Sequence, residues 1–321
     1  MAKRALTPSD LFDLRQALHV ATLEALLASR RWTPGDLVFQ GGTSLHLAHG
    51  SPRFSEDLDF LVSSNLKLAA INKAVEARLA GAAWLPAGTE VKVTKAKEGH
   101  NPHAFDVTIG GATVIGAVRV KVELWAADKN LAIAPLSVHI VPVRLASGPA
   151  SGAQAFVPAA DQAEIYADKV FALGARPYLK PRDVFDLHWL THTSPRNVDR
   201  GPLTQRELEV RLATYPNQSV DTWLAGAVAR RAELLGARDK VTTDLRRWLP
   251  PSWPMTPEAA QEMIDVSIVA LDEGIALMRI MQSQGFRAPN QVAQEPEADP
   301  DSDADDAGDE EADAPQRPRG G

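Results

Sequence analysis

The hydrophobic pattern of this chain changes period once, near Pro158, and that change limits the folds open to it. Before it, short apolar runs alternate as strands do: Leu37 to Phe39, Phe54 to Val62, Val91 to Lys95, Ala104 to Ile109 and Ala117 to Trp125. Two helical patterns interrupt them. One is TPSDLFDLRQALHVATLEALLASRR, with Thr7 and Asp10 at capping-box positions and Pro8 in the first turn; the other runs from Leu66 to Leu79. After Pro158 every strong pattern is helical, from AADQAEIYADKVFALGAR through RDVFDLHWL to PEAAQEMIDVSIVALDEGIALMRIMQSQ, and no strand signal remains. The expected fold is α+β: a mixed sheet with flanking helices over 1–157, a helical domain over 158–288, and a tail over 289–321.

Charge supports that division. The net charge of −7 is uneven: residues 291–321 hold eleven Asp or Glu and two Arg, and the rest is close to neutral. A segment so acidic and so poor in apolar side chains cannot offset the entropy of ordering, which predicts a disordered acidic tail. It reads either as a solubilising tail or as a lure for a basic partner. There is no cysteine, so disulfides and thiolate metal sites are excluded. The N-terminus lacks a signal-peptide pattern, and no stretch approaches the roughly 18 consecutive apolar residues of a membrane span. A soluble cytoplasmic protein without membrane partners is expected.

The most informative stretch is GGTSLHLAHGSPRFSEDLDF, residues 41–60. On a strand, residues two apart face the same way, so Asp57 and Asp59 point together while Leu58 and Phe60 point into the core. Two carboxylates side by side repel unless a cation neutralises them. Hard oxygen ligands suit Mg²⁺ (Mn²⁺ being the other candidate), shared with a substrate's phosphates. Gly41 and Gly42 let backbone approach a phosphate, and Thr43 and Ser44 offer hydroxyl and amide donors at a helix start. Such a site would hold a nucleoside triphosphate by its tail. The plain alternative makes the aspartates the solvated face of an edge strand; a bare Asp-x-Asp is common, and only its combination with the glycine turn is specific.

This stretch resembles the nucleotidyltransferase toxins of the AbiEii/AbiGii (MenT-like) family, part of the polymerase-β-like nucleotidyltransferase superfamily. The family pattern is a glycine pair with Thr or Ser, a leucine-rich turn, an Arg (here Arg53), then Ser-x-Asp-x-Asp-Phe beginning at Ser55. A second match lies at 163–190, with Asp168-Lys169, Ala172-Leu173, Arg176, and Arg182-Asp183 followed by Asp186. The resemblance covers roughly residues 10–240. It implies NTP-dependent, Mg²⁺-dependent nucleotidyl transfer, with RNA and notably tRNA as acceptor, and a toxin held by an antitoxin partner. It implies nucleotide contacts from Gly41, Gly42, Thr43, Ser44, Arg53, Ser55 and Arg176, and catalytic roles for Asp57, Asp59, Lys169 and Asp186. A third metal carboxylate is expected on a later strand; Glu123 is the candidate and Asp106 its competitor. Ser55 is a candidate for silencing by modification.

The residues of the second motif permit both roles and plainer ones. Lys169, Leu173 and Arg176 share a helical face, so two cations there could meet a triphosphate or a leaving pyrophosphate. Equally, Lys169 could pair with neighbours on a wet helix face. Asp186 could orient Lys169, act as base toward an acceptor hydroxyl, or be a buried partner of Lys169 or Arg182. Six cations, Arg230, Arg231, Arg238, Lys240, Arg246 and Arg247, are concentrated in the helical half as a candidate basic patch for nucleic acid. Two other readings stay open: an Asp-x-Asp sugar-nucleotide glycosyltransferase, and a non-catalytic nucleotide- or partner-binding module.

Overall fold

The structure, a computed structural model, describes residues 4–80, 82–94, 99–111, 114–145, 154–193, 201–215 and 217–287. The first half runs β1 (Arg4–Ala5), α1 (Pro8–Ala28), β2 (Leu37–Gln40), α2 (Gly41–His49), β3 (Asp57–Ser63), α3 (Ile71–Leu79), β4 (Thr89–Val93), β5 (His103–Gly111), β6 (Val114–Ile115), β7 (Val118–Ala127), β8 (Val138–Arg144) and β9 (Gln154–Ala160). Helices follow: α4 (Gln162–Ala175), α5 (Pro181–His188), α6 (Gln205–Thr214), α7 (Val220–Leu235), α8 (Arg238–Leu245) and α9 (Pro257–Ser283). The mixed α+β fold with a helical second half is as the sequence predicts. The capping box forms at the start of α1: the Thr7 N–H donates to Asp10 Oδ2 at 2.9 Å, and the Asp10 N–H donates to Thr7 Oγ1 at 3.1 Å.

Seven strands form one sheet in the order β4-β5-β7-β3-β2-β9-β8, with β3–β7 and β2–β9 parallel and the other neighbours antiparallel. Side-chain alternation divides its two faces between two cores. Leu37, Phe39, Leu58, Phe60 and Val62 pack with Leu18 and Leu23 of α1 and Val75 of α3. Val38 and Leu61, one residue out of phase, join the core of Val170, Phe171, Phe185 and Trp223 from the helical half. Asp57 and Asp59 are in phase with Leu61, so the acidic pair faces the helical half.

Two strands of this sheet, β8 and β9, carry no signal that the sequence reading used. Pro142 and Pro158 interrupt them, and β9 alternates small residues, Ala155, Val157 and Ala159, in the buried positions. A proline in a run reads as an edge strand or no strand, and β8 is indeed an edge. The expected boundary at 157/158 falls inside β9, which the sheet holds between β2 and β8. Helix α2 begins at the glycine pair itself, three residues earlier than the helical turn expected from Ser44. Among the described residues no helix is long and apolar enough to cross a membrane. The expected tail, residues 289–321, lies outside the described residues.

Candidate active site

The acidic face is built by strand register. β3 lies parallel to β7 with Asp57 opposite Lys121 and Asp59 opposite Glu123. Residues opposite one another share a face, so three carboxylates cluster there. Burial first, then Glu123, raises the Asp57 carboxyl above its ordinary range. Burial, Glu123 and Asp57 together push Asp59 up to about 7, and it shares a hydrogen bond with Glu123. Glu123 is also ion-paired with Lys121. Asp106, the competitor for the third position, lies one strand farther out opposite Lys121 and pairs with Arg119 at 2.8 Å. The structure places Glu123 in the cluster.

The glycine turn closes on the same carboxylates. Gly41 has φ +78°, and a Cβ there would come within 2.6 Å of Asp59 Oδ2. A Cβ on Gly42 would meet the Arg53 guanidinium and lie 3.0 Å from Ser55 Oγ. The glycines are therefore needed because side chains of the site occupy the space where a Cβ would stand.

A buried ion network ties the two sequence motifs together. Arg53, 2% exposed, donates from Nε to Asp186 Oδ1 at 2.6 Å and from its terminal NH2 nitrogen to Oδ2 at 2.8 Å. Lys169 Nζ lies 2.7 Å from Asp183 Oδ1 and 2.8 Å from Asp186 Oδ2. Arg176 pairs with Asp183 from the other side. The charges alternate, Arg53, Asp186, Lys169, Asp183, Arg176, and both ends are cations. Burial works against every member. The cations outweigh it and hold both aspartates below the usual carboxylate range, and Asp183 and Asp186 likewise keep the Lys169 ammonium above its own.

Acidic face, glycine turn and cations line one cavity of about 350 Å³. Asp57, Asp59 and Glu123 of β3 and β7 line it with Gly41, Gly42 and Ser55; Lys169, Arg176, Lys180 and Arg182 line it from the helical half, together with Asp168 and Asp183. Carboxylates and cations in one cavity suit a metal–triphosphate: oxygens for the cation, cations for the phosphates.

Some expected contacts differ. Thr43 and Ser44 are fully buried and do not line the cavity; their hydroxyls donate inward, to the carbonyls of Asp57 and Phe39. Helix α2 starts early enough to turn both side chains toward the sheet, so their hydroxyls do not face a nucleotide. Arg53 lines the cavity, but its guanidinium is engaged by Asp186 and by the Phe54 carbonyl. Asp186 is fully buried with both oxygens paired, which makes it an orienting group and not a base toward a hydroxyl. Lys169 has two of its three donors taken by carboxylates. Arg176 stands just past the end of α4, so it shares Asp183 with Lys169 rather than a helical face. Sequence reasoning did not single out Trp125, Lys180 and Tyr215, which also line the cavity. Trp125 follows Glu123 by two on β7, so the same alternation places it on the acidic face; Tyr215 comes from the end of α6 and has no such signal.

The donor set fits a divalent cation. Asp57 and Asp59 are hard oxygen ligands whose pKa is raised by burial first and then by the neighbouring Glu123 carboxylate, a condition a cation relieves. Among the described residues no group of three or more His, Cys, Asp or Glu is arranged as a finished metal cage, and Glu123 remains turned to Lys121 and Asp59.

Two solved structures are similar in outline. JHP933 from Helicobacter pylori aligns with a TM-score of 0.46 and 17% identity over 88% of this chain and 100% of its own. MenT4, a nucleotidyltransferase toxin from Mycobacterium tuberculosis H37Rv, aligns with a TM-score of 0.45 and 18% identity over 87% of this chain and 86% of its own. No curated protein matches the chain. The family model described as nucleotidyl transferase AbiEii toxin, Type IV TA system, matches residues 8–262, which takes in both motifs, the whole sheet and the first turns of α9. The chain belongs to the AbiEii nucleotidyltransferase toxin family.

Proposed function

We propose that this protein transfers a nucleotide from a nucleoside triphosphate to a hydroxyl of RNA, such as a tRNA end, and that it acts as the toxin beside an antitoxin protein. The observation that carries the reading is the single cavity in which the carboxylates of β3 and β7 face the cations of α4 and α5. Asp57 and Asp59 would hold Mg²⁺, or Mn²⁺ in its place, and the ion supplies charge neutralisation on the donor's phosphates. Gly41 and Gly42 leave the space in which Asp59, Arg53 and Ser55 stand at the edge of the nucleotide site. Arg176, Lys180 and Arg182 receive the charge that develops on the leaving pyrophosphate. The acceptor oxygen forms a bond to the α-phosphorus as the bond to the bridging oxygen breaks, and pyrophosphate departs with that electron pair. Glu123, the third carboxylate of that face, would take the hydroxyl proton once released from Lys121. Lys169 and Asp186 are positioning residues that hold both motifs in one frame.

Family membership sets the glycosyltransferase reading aside. Incubation with Mg²⁺, total RNA and each α-³²P-labelled nucleoside triphosphate, beside Asp57→Ala, tests the proposal. Label in a discrete RNA band that the variant lacks supports it. No label on RNA with any nucleotide rejects the RNA acceptor and favours a protein acceptor or the binding-module reading.

A further inference from the structure

A second depression opens next to the cavity, where the turn between α4 and α5 faces the end of α8. Tyr178, Lys180 and Arg182 line one side, and Lys240, Arg247 and Trp248 the other. Lys180 and Arg182 also line the catalytic cavity, so the two spaces adjoin across these two side chains. Resting on the nucleotidyl-transfer reading above, we propose that this groove binds the single-stranded end of the acceptor RNA, with Tyr178 as a base-stacking platform, Lys240 and Arg247 on its phosphates, and Lys180 and Arg182 between groove and cavity.

Charge and shape both point this way. Among the described residues neither Lys180 nor Arg182 has a carboxylate within ion-pair distance. They are held over aromatic rings instead: Lys180 Nζ lies 5.9 Å from the centre of Tyr178, and the Arg182 guanidinium 4.4 Å from that of Trp248. Such contacts fix a cation without neutralising it. Burial and the neighbouring Arg176 and Arg182 push the Lys180 ammonium below its ordinary range, with Asp183 working against them. That is a crowding of positive charge that a polyanion relieves. Asp244 is the one carboxylate in the lining, 3.4 Å from the exposed Arg247, and Lys240 reaches Glu233 outside it at 3.0 Å; both are half-exposed surface pairs that a phosphate can replace.

Of the six cations expected to form a patch, only Lys240 and Arg247 line this groove. Arg230 is buried against the carbonyls of Leu173 and Arg176, and Arg231 pairs with Asp272. Tyr178 decides the form of the ligand. It is 56% exposed beside these cations, and an open ring stacks on an unpaired base, which a duplex does not present. The chain's own acidic segment, 291–321, matches the charge but has no aromatic residue to lie on Tyr178.

Fluorescence anisotropy of the full chain with a labelled eight-nucleotide single-stranded RNA tests this across a salt series. Tyr178→Ala should weaken binding about tenfold, and Tyr178→Phe should restore it. Lys240→Gln with Arg247→Gln should lower the slope of log affinity against log salt by about 1.4. Binding of a fluorescent nucleoside triphosphate with Mg²⁺ should be unchanged in all three. RNA affinity unaltered by both substitutions overturns the groove, and so does loss on Tyr178→Ala without rescue by phenylalanine. Equal binding of duplex RNA, or full displacement by a synthetic 291–321 peptide, also overturns it. A wild-type protein that binds RNA through these residues but transfers no nucleotide keeps the groove and rejects the transfer reading. Transfer with an unchanged KM for RNA in the variants does the reverse.

Discussion

Arg53 and Asp186 stand 133 residues apart in the chain and meet in a two-pronged ion pair that is buried at both ends, at 2.6 and 2.8 Å. It joins the loop before β3 to α5, and so holds the acidic face against the helical half. Removing Asp186 strands the Arg53 charge, and removing Arg53 leaves the buried Asp186 with Lys169 alone. Arg53→Ala and Asp186→Ala should each lower unfolding free energy by about 3–5 kcal/mol in urea denaturation. Arg53→Lys should recover little, because a single ammonium cannot bridge both carboxylate oxygens in the same plane. A loss below about 1 kcal/mol for Arg53→Ala would show that the pair does not hold the two halves together.

Asp57→Asn and Asp59→Asn should behave differently from the ion-network variants. Both face the cavity, and neither has an ion-pair partner among the described residues. Each should cut nucleotidyl transfer by about 10³-fold or more, since the charge stabilisation supplied by a held cation amounts to several kcal/mol. The folded state should survive, so circular dichroism and urea midpoints should match or exceed the wild type. Full activity in either variant would move the cation site elsewhere.

The sequence made the acidic face legible because period-two alternation is local: Asp57, Asp59 and Glu123 follow from counting along two strands. It also identified both motifs that meet in the cavity. It could not show what Lys169 and Asp186 do, because their roles depend on Arg53 arriving from another segment and on burial that no local pattern reveals. Thr43 and Ser44 misled for the same reason. A helix start with hydroxyls looks alike whether it faces solvent or a sheet, and only the onset of α2 at Gly41 decides which. Strand β8 was hidden by Pro142 within an otherwise strand-forming VHIVPVR, and β9 by Pro158 and its alanines, which carry little strand propensity, although β9 fills the sheet between β2 and β8.

The Asp59 carboxyl makes the stability of the metal-free protein depend on pH in a definite direction. Its folded pKa is about 7, against an ordinary value of 3.8. Between those values the folded state holds a proton that the unfolded state has released. The stability Asp59 contributes is therefore full below about pH 3.8 and lost as pH rises through about 7. In chelator, Asp59→Asn should melt higher than wild type at pH 8, and the difference should shrink as pH falls toward 4. His19, pushed down to about 4 by burial, acts oppositely over the same range. It is common to both proteins, so the difference between them cancels it. Mg²⁺ should raise the melting temperature of wild type but not of the variant at pH 8. A difference that grows toward acid would overturn the assignment.

Two glycines at the ends of α2, Gly41 as its first residue and Gly50 as its C-cap, separate backbone strain from damage to the site. Gly41 and Gly50 both have positive φ, +78° and +82°, so alanine at either should cost about 1–2 kcal/mol for the left-handed backbone. Their surroundings differ. A Cβ at Gly50 meets nothing within 4 Å, whereas one at Gly41 comes within 2.6 Å of Asp59 Oδ2 and 3.1 Å of its Cβ. Gly50→Ala should therefore lower stability and leave kcat unchanged. Gly41→Ala must also displace the Asp59 carboxylate, and transfer should fall by about 10²-fold, the scale of a 1 Å misplacement of a reacting group. Steady-state kinetics beside urea melts of the two variants give the comparison. Equal activity losses would mean that strain alone is responsible and that Asp59 is not held in place by the absence of a side chain at Gly41.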